Sequence, residues 1–126
     1  MQDGAASHGK PVLVVDDDRA ILDVVRTWLS AAGYSIVACD RFETARQHLT
    51  KAAPQVLLTD VRLGAFNGLQ LVILAKERDP RTIALVTSGF DHVALRKEAS
   101  KWGAVFLPKP FTREQMLAAV DAAAVL

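Results

Sequence analysis

Aspartate residues stand at the ends of two apolar runs that are typical of buried strands. The stretch PVLVVDDD places Asp16, Asp17 and Asp18 directly after one run, and VLLTD places Asp60 after another. At an effective dielectric near 20, two unit charges about 4 Å apart repel by roughly 4 kcal/mol, so converging carboxylates require a cation. Mg²⁺ prefers carboxylate, water and phosphate oxygens. An aspartate can also act as a nucleophile toward a phosphoryl group.

A hydroxyl and an ammonium group follow two further apolar runs. Thr87 stands in ALVTSG, and Lys109 lies between two prolines in FLPKPF. Both groups suit the remaining oxygens of a transferred phosphoryl group. Each residue also has an ordinary explanation by itself, such as a helix cap for Asp18, a turn for Asp60 or a solvated surface charge for Lys109. Their coincidence at several strand ends favours one shared site.

Short β-branched runs alternate with longer stretches of helical spacing. The predicted strands are Pro11–Val15, Ser35–Cys39, Gln55–Thr59, Ile83–Thr87 and Val105–Leu107. A helix is predicted after each strand, because apolar residues recur there at i, i+3 and i+4. The third and fourth of these helices cover Leu69–Arg78 and about Val93–Lys101. Asp40 with Glu43, and Thr112 with Gln115, have the spacing of capping boxes that open the second and last helices.

The order of elements predicts an α/β fold of the (βα)₅ type. Right-handed crossovers place helices on both faces of an open, doubly wound parallel sheet. Such sheets bind ligands outside the carboxyl ends of their strands. The aspartates, Thr87 and Lys109 are therefore expected at one edge of the sheet.

Composition restricts the classes of protein to consider. With 126 residues, the chain is expected to be one domain at 10–126, preceded by a flexible tail at 1–9. The net charge of +1 gives no electrostatic indication of nucleic acid or an anionic membrane as a partner. No apolar run approaches the ~20 residues of a membrane helix. The single Cys39 is compatible with a reducing compartment, and we expect a cytoplasmic location.

The motifs resemble those of receiver domains of two-component response regulators. VVDDD, LLTDVRLGAFNG, ALVTSG and GAVFLPKPF occur in the order and at the spacing of that family, from Lys10 to the C-terminus. The resemblance implies a flavodoxin-like sheet with strand order 2-1-3-4-5. It also implies that Asp60 is the phosphoacceptor and that Asp16, Asp17, Asp60 and the backbone carbonyl of Arg62 hold Mg²⁺.

Further roles follow from the same resemblance. Thr87 matches the switch hydroxyl, Lys109 the lysine of the KPF motif, and Phe106 the aromatic switch position. Arg62 and Gly89 match the positions that tune the lifetime of the phosphoryl group. The bond between Lys109 and Pro110 is expected to be cis.

Two residues depart from the family's pattern. Gly64 stands where the family often has proline, which predicts a looser loop after Asp60, because glycine restricts φ less than proline does. Trp102 stands where small residues are common. It either marks a partner surface or fills space in the core.

The resemblance implies a phosphorylation-dependent switch rather than a classical enzyme, with only self-catalysed phosphoryl transfer and autodephosphorylation. A histidine kinase or histidine phosphotransfer protein would phosphorylate Asp60. The face formed by the fourth helix, fifth strand and fifth helix would then signal by contact with a downstream protein, or by forming a homodimer. No DNA-binding domain follows in this sequence, so output through protein contact is expected, unless the chain is a fragment of a larger regulator or hybrid kinase.

Three alternatives remain open. A receiver-like docking module would work without phosphorylation. An Mg²⁺-dependent phosphatase usually has a general acid two residues after the nucleophile, where this chain has Arg62. A flavin- or nucleotide-binding module would need a phosphate loop after the first strand, where three aspartates would repel phosphate.

Overall fold

The computed structural model describes residues 11–90 and 93–124. In chain order its strands are β1 (Pro11–Val15), β2 (Ser35–Cys39), β3 (Val56–Asp60), β4 (Arg62–Leu63), β5 (Phe66–Asn67), β6 (Ile83–Ser88) and β7 (Ala104–Pro108). Five of them form a parallel sheet in the order β2-β1-β3-β6-β7, whereas β4 and β5 form a separate antiparallel pair. The predicted flavodoxin-like order is thereby confirmed, with the fourth and fifth predicted strands corresponding to β6 and β7.

The helices are α1 (Arg19–Ala31), α2 (Phe42–Lys51), α3 (Leu69–Arg78), α4 (Val93–Lys101) and α5 (Arg113–Ala124). The Asp18 carboxylate accepts hydrogen bonds from the backbone N–H groups of Ala20 and Ile21, so this residue caps α1. Thr112 and Gln115 form the predicted reciprocal capping box before α5. The side chain of each residue accepts a hydrogen bond from the backbone N–H of the other, and these N–H groups have no acceptor within the first turn of the helix.

The predicted capping role of Asp40 is wrong. The cap position of α2 is Arg41, which makes no side-chain capping bond. The Asp40 carboxylate instead accepts a hydrogen bond from Arg19 at 2.8 Å, twenty-one positions earlier in the sequence. A charged partner brought close by the fold replaces the local interaction that the spacing indicated.

Alternating residues of the strands contribute side chains to two separate apolar layers, one on each face of the sheet. On one face, Val12 and Val14 pack with α1 and α5 residues such as Leu22 and Met116. On the other face, Leu13, Val15 and their neighbours pack with α2, α3 and α4. Burying each such aliphatic side chain contributes roughly 1.5–3 kcal/mol. The two layers hold the central strands in register.

The strand register brings the candidate residues to one edge. Asp60 pairs with Thr87 across β3 and β6, and Ser88 pairs with Pro108 across β6 and β7. Asp16 directly follows β1, and its backbone N–H donates to the carbonyl of Cys39.

Within the described residues, the helices are too short or too polar to span a membrane. The predicted tail at 1–9 lies outside the described residues.

Candidate functional site

Lys109 joins two buried carboxylates at the carboxyl edge of the sheet. Its Nζ atom lies 2.9 Å from Asp16 Oδ2 and 3.3 Å from Asp60 Oδ2. Asp16 and Asp60 are 4% and 8% exposed, so water screens their charges poorly. The ammonium group provides the positive charge that two neighbouring carboxylates require.

The pKa values reflect this arrangement. Burial raises the pKa of Asp60; the positive charge of Lys109 opposes that rise, and the negative charge of Asp16 adds to it. Burial alone would lower the pKa of Lys109, but its contacts with Asp16 and Asp60 outweigh burial and raise it. Lys109 is therefore held as a cation next to a carboxyl group that ionises less readily than usual.

The three consecutive aspartates point to different partners. Asp16 accepts from Lys109 through Oδ2 and from the backbone N–H of Asp18 through Oδ1. Asp17 is exposed and accepts from the backbone N–H of Gly64 at 3.0 Å. Asp18 caps α1. The repulsion expected from the triplet is relieved because the carboxylates have separate donors.

An oxygen-rich cluster lies where the sequence predicts the cation site. One carboxylate oxygen from each of Asp16, Asp17 and Asp60 lies within 4.8 Å of the other two. A cluster of three carboxylates fits the donor chemistry of Mg²⁺. The backbone N–H of Arg62 donates to Asp60 Oδ1 at 3.4 Å, so Arg62 adjoins the same group. The role of the Arg62 carbonyl as a fourth ligand stays a prediction.

Thr87 and Pro110 lie around the same edge. Thr87 is 3% exposed at the end of β6. The backbone N–H of Lys109 donates to the carbonyl of Ser88, which ties the segment after β7 to the end of β6. The Lys109–Pro110 peptide bond is cis. Thr87 and Lys109 therefore stand at the carboxyl ends of two neighbouring strands, β6 and β7.

A hairpin that the sequence analysis missed follows Asp60. Strands β4 and β5 pair Arg62 with Asn67 and Leu63 with Phe66. Gly64 turns between them with a φ of 60°, which favours glycine. The ring of Phe66 stacks on Phe42 of α2, with 4.6 Å between ring centroids. The predicted looseness of this loop is a dynamic property and stays a prediction.

Gly68 follows the hairpin directly and lies against the backbone of Asp60. A Cβ atom at Gly68 would lie 1.9 Å from the carbonyl oxygen of Asp60 and 2.8 Å from Thr59 Oγ1. The backbone N–H of Gly68 donates to the carbonyl of Val61. The close approach explains why only glycine fits there.

Arg62 of β4 and Arg96 of α4 each lie over an aromatic ring. The guanidinium carbon of Arg62 lies 4.7 Å from the centroid of Phe90, a contact that the sequence analysis did not foresee. The guanidinium carbon of Arg96, on α4, lies 4.7 Å from the centroid of Phe106, on β7. Phe106 is half-buried and packs against the apolar layer beneath α4. The position is compatible with both a core role and a switch role.

The two remaining candidates occupy different surroundings. Gly89 is exposed and lines an apolar groove of about 550 Å³ between α1 and the segment after β7, with Ile21, Trp28 and Phe111 among the other lining residues. Trp102 is half-buried against the core, and its indole N–H donates to Glu98. Trp102 therefore fills space beside α4 and keeps part of its ring at the surface.

Comparison with known proteins identifies the class. Residues 12–121 match the family described as the response regulator receiver domain. The chain is 34% identical over 114 residues to the DNA-binding transcriptional regulator NtrC of Klebsiella pneumoniae, an alignment that covers 87% of this chain and 24% of that protein. The chain belongs to the receiver domain family of response regulators in two-component systems, whose members are regulatory proteins.

Solved structures show the same fold. A beryllofluoride-activated NtrC4 receiver domain dimer superposes with a TM-score of 0.85 at 29% identity, covering 92% of this chain and 97% of that one. A CheY-like receiver domain protein from Methanospirillum hungatei JF-1 superposes with a TM-score of 0.87 at 22% identity, covering 93% and 94%. The chain thus corresponds to nearly the whole of these domains, but spans about a quarter of the length of NtrC.

Proposed function

We propose that this chain is a phosphorylation-dependent switch in which Asp60 accepts a phosphoryl group from a histidine kinase or a histidine phosphotransfer protein. The observation that carries the proposal is the contact of the Lys109 ammonium with both Asp16 and Asp60. This contact supports the proposal because a carboxylate able to act as a nucleophile lies beside a cation and a cluster of carboxylates at the end of β3.

Each group has a defined part in the transfer. A carboxylate oxygen of Asp60 attacks the phosphorus, the bond from phosphorus to the donor's imidazole nitrogen breaks, and its electron pair stays on that nitrogen. Lys109 donates to a phosphoryl oxygen, which it can reach because it already contacts Asp60. Asp16, Asp17 and Asp60 would hold Mg²⁺, whose chemistry there is to neutralise the carboxylates and the phosphoryl oxygens.

The response passes from Thr87 to the α4–β7–α5 face. Phosphorylation adds charge and acceptor oxygens at Asp60, and Thr87 moves to donate to one of them. Phe106 on the adjacent strand then turns inward, which shifts α4 because Arg96 of that helix lies over its ring. The phosphoryl group favours the inward state through these additional contacts, so the change is a shift between two populations.

Amide hydrogen exchange with beryllofluoride as the phosphoryl mimic tests this coupling. In the wild type, beryllofluoride with Mg²⁺ should change exchange along α4, whereas Thr87→Ala should bind the mimic and lose that change. Thr82→Ala is the matched control, because Thr82 is a buried threonine just before the other end of β6. An equal response of α4 in the wild type and Thr87→Ala would contradict the role of Thr87.

The same experiment addresses the alternative of a phosphorylation-independent docking module, which would show no response to the mimic. The phosphatase alternative is disfavoured by the exposed Arg62 at the position of the general acid. The downstream protein, a homodimer through the α4–β7–α5 face and a cytoplasmic location remain predictions.

A further inference from the structure

The side chains of Arg62 and Phe90 make a contact between the β4–β5 hairpin and the segment after β6. Asp60 and Thr87 are register partners, and Arg62 and Phe90 follow them by two and three residues. The guanidinium carbon lies 4.7 Å from the centroid of the ring. The contact therefore connects the segment after β3 to the segment after β6, at the edge where Asp60 ends its strand.

Neither side chain is needed to fill the core. Arg62 is exposed, and Phe90 is 58% exposed although its ring is large and apolar. The backbone around each is held to the site, because the N–H of Arg62 donates to Asp60 and the N–H of Phe90 donates to Ser88 Oγ. The backbone at both residues is held to the site, whereas their exposed side chains contact each other. The two side chains therefore bridge the two segments and are not part of the protein interior.

We propose that Phe90 is a positioning residue that holds the guanidinium of Arg62 beside its ring, so that the two side chains form a clasp that limits the access of water to phosphorylated Asp60. The inference rests on the proposed function. In hydrolysis, a water oxygen attacks phosphorus in line with the Asp60 oxygen. The bond between phosphorus and that oxygen breaks, its electron pair returns to the carboxylate, and the proton of water leaves with phosphate or solvent. The clasp slows this step by obstructing the approach of water.

The ring contributes separately from the charge of Arg62. A guanidinium without a partner samples many rotamers, whereas a cation over an aromatic ring is restrained by the ring's negative face. Exposed cation–π contacts are weak, so we expect loss of the ring to shorten the lifetime of the phosphoryl group by about two- to fivefold. A pure charge effect of Arg62 would leave the lifetime unchanged when only Phe90 is replaced.

The test measures the lifetime of the phosphoryl group in full-length variants of this chain. Protein is phosphorylated with acetyl phosphate and Mg²⁺, the donor is removed, and the decay of phosphorylated protein is followed by intact mass. Phe90→Leu and Arg62→Met should each decay faster, and the double variant no faster than Arg62→Met alone, because both substitutions remove one contact. Phe90→Trp should retain the wild-type lifetime, since tryptophan gives the strongest cation–π contacts.

Phe66→Leu is the matched control. Phe66 is similarly exposed, at 52%, and lies in the same hairpin as Arg62, but its ring stacks on Phe42. Its replacement should leave the lifetime unchanged. All variants should unfold thermally near the wild-type temperature, which separates a positioning role from a structural one.

The outcomes distinguish the clasp from the proposed function. Wild-type protein that takes up no phosphoryl group overturns both. Wild-type protein that is phosphorylated, with Phe90→Leu decaying at the wild-type rate or more slowly, overturns the clasp alone. Equal acceleration by Phe66→Leu, or acceleration by Phe90→Leu without acceleration by Arg62→Met, also overturns the clasp.

Discussion

The ammonium group of Lys109 lies 2.9 Å from the carboxylate of Asp16, and the two residues are ninety-three positions apart in the sequence. The same ammonium contacts Asp60 at 3.3 Å. Lys109 therefore explains how the fold accommodates two buried carboxylates, and it connects the last strand of the sheet to the first and third.

Replacing Lys109 by methionine should destabilise the protein at neutral pH. The substitution keeps the length of the side chain but leaves Asp16 and Asp60 without their common cation. Removing one partner of a buried ion pair costs about 3–5 kcal/mol, and urea unfolding in Mg²⁺-free buffer measures this loss. Lys97→Met, on the exposed side of α4, is the control and should change the unfolding free energy little. Equal effects of the two substitutions would contradict a structural role for the Lys109 contacts.

The pH dependence of stability should show that the fold disfavours ionisation of the Asp60 carboxyl group. Burial raises its pKa above the usual 3.8, so the folded state holds the proton more tightly than the unfolded state does. The stability that Asp60 contributes when protonated is lost as pH rises from 3.8 through the raised pKa. Asp60→Asn removes this titration, and the variant should gain stability over the wild type across that window, by about 1.4 kcal/mol per unit of pKa shift.

Urea unfolding of both proteins at several pH values, without Mg²⁺, checks the sign. A difference in unfolding free energy that is constant with pH, or that shrinks as pH rises, would contradict the raised pKa.

Mg²⁺ should stabilise the folded protein through the carboxylate cluster. A ligand that binds only the folded state at one hundred times its dissociation constant adds about 2.7 kcal/mol. The melting temperature should rise with MgCl₂ and not with NaCl of equal ionic strength, and Asp17→Asn should weaken the rise. Asp18→Asn is a close control, because asparagine also caps helices and Asp18 caps α1. A rise that Asp17→Asn and Asp18→Asn weaken equally would argue against a specific site.

Gly68→Ala should destabilise the loop that adjoins Asp60. Its Cβ atom would lie 1.9 Å from the carbonyl oxygen of Asp60, so the backbone must shift, at a cost of about 1–3 kcal/mol in urea unfolding. Gly89→Ala is the matched control, since a Cβ at Gly89 meets no heavy atom within 4 Å in the part of the chain that the structure describes. Similar losses of unfolding free energy in Gly68→Ala and Gly89→Ala would show that the contact with the Asp60 carbonyl oxygen does not cause the destabilisation.

The sheet and the main site could be predicted because their signals are local and repeat along the chain. Apolar runs indicate buried parallel strands, and residues that end such strands must meet at one edge, so Asp16, Asp60, Thr87 and Lys109 could be grouped before any coordinates. The boundaries differ by about one residue, which places Asp60 and Ser88 inside β3 and β6.

The remaining features depend on contacts between distant residues. The β4–β5 hairpin has only two residue pairs, and its Phe66 stacks on Phe42 of α2. Asp40 bonds Arg19 rather than its own helix. The Arg62–Phe90 contact joins the hairpin to the segment after β6, and no sequence periodicity connects these two segments. Such pairings appear only when the fold brings their partners together.

The mass of the intact protein after incubation with acetyl phosphate and Mg²⁺ tests directly whether Asp60 accepts a phosphoryl group. The wild type should gain one phosphoryl group, removed by hydroxylamine as an acyl phosphate should be, and Asp60→Asn should gain none. Retention of the added group in Asp60→Asn at the wild-type yield would contradict the assignment of Asp60 as the acceptor.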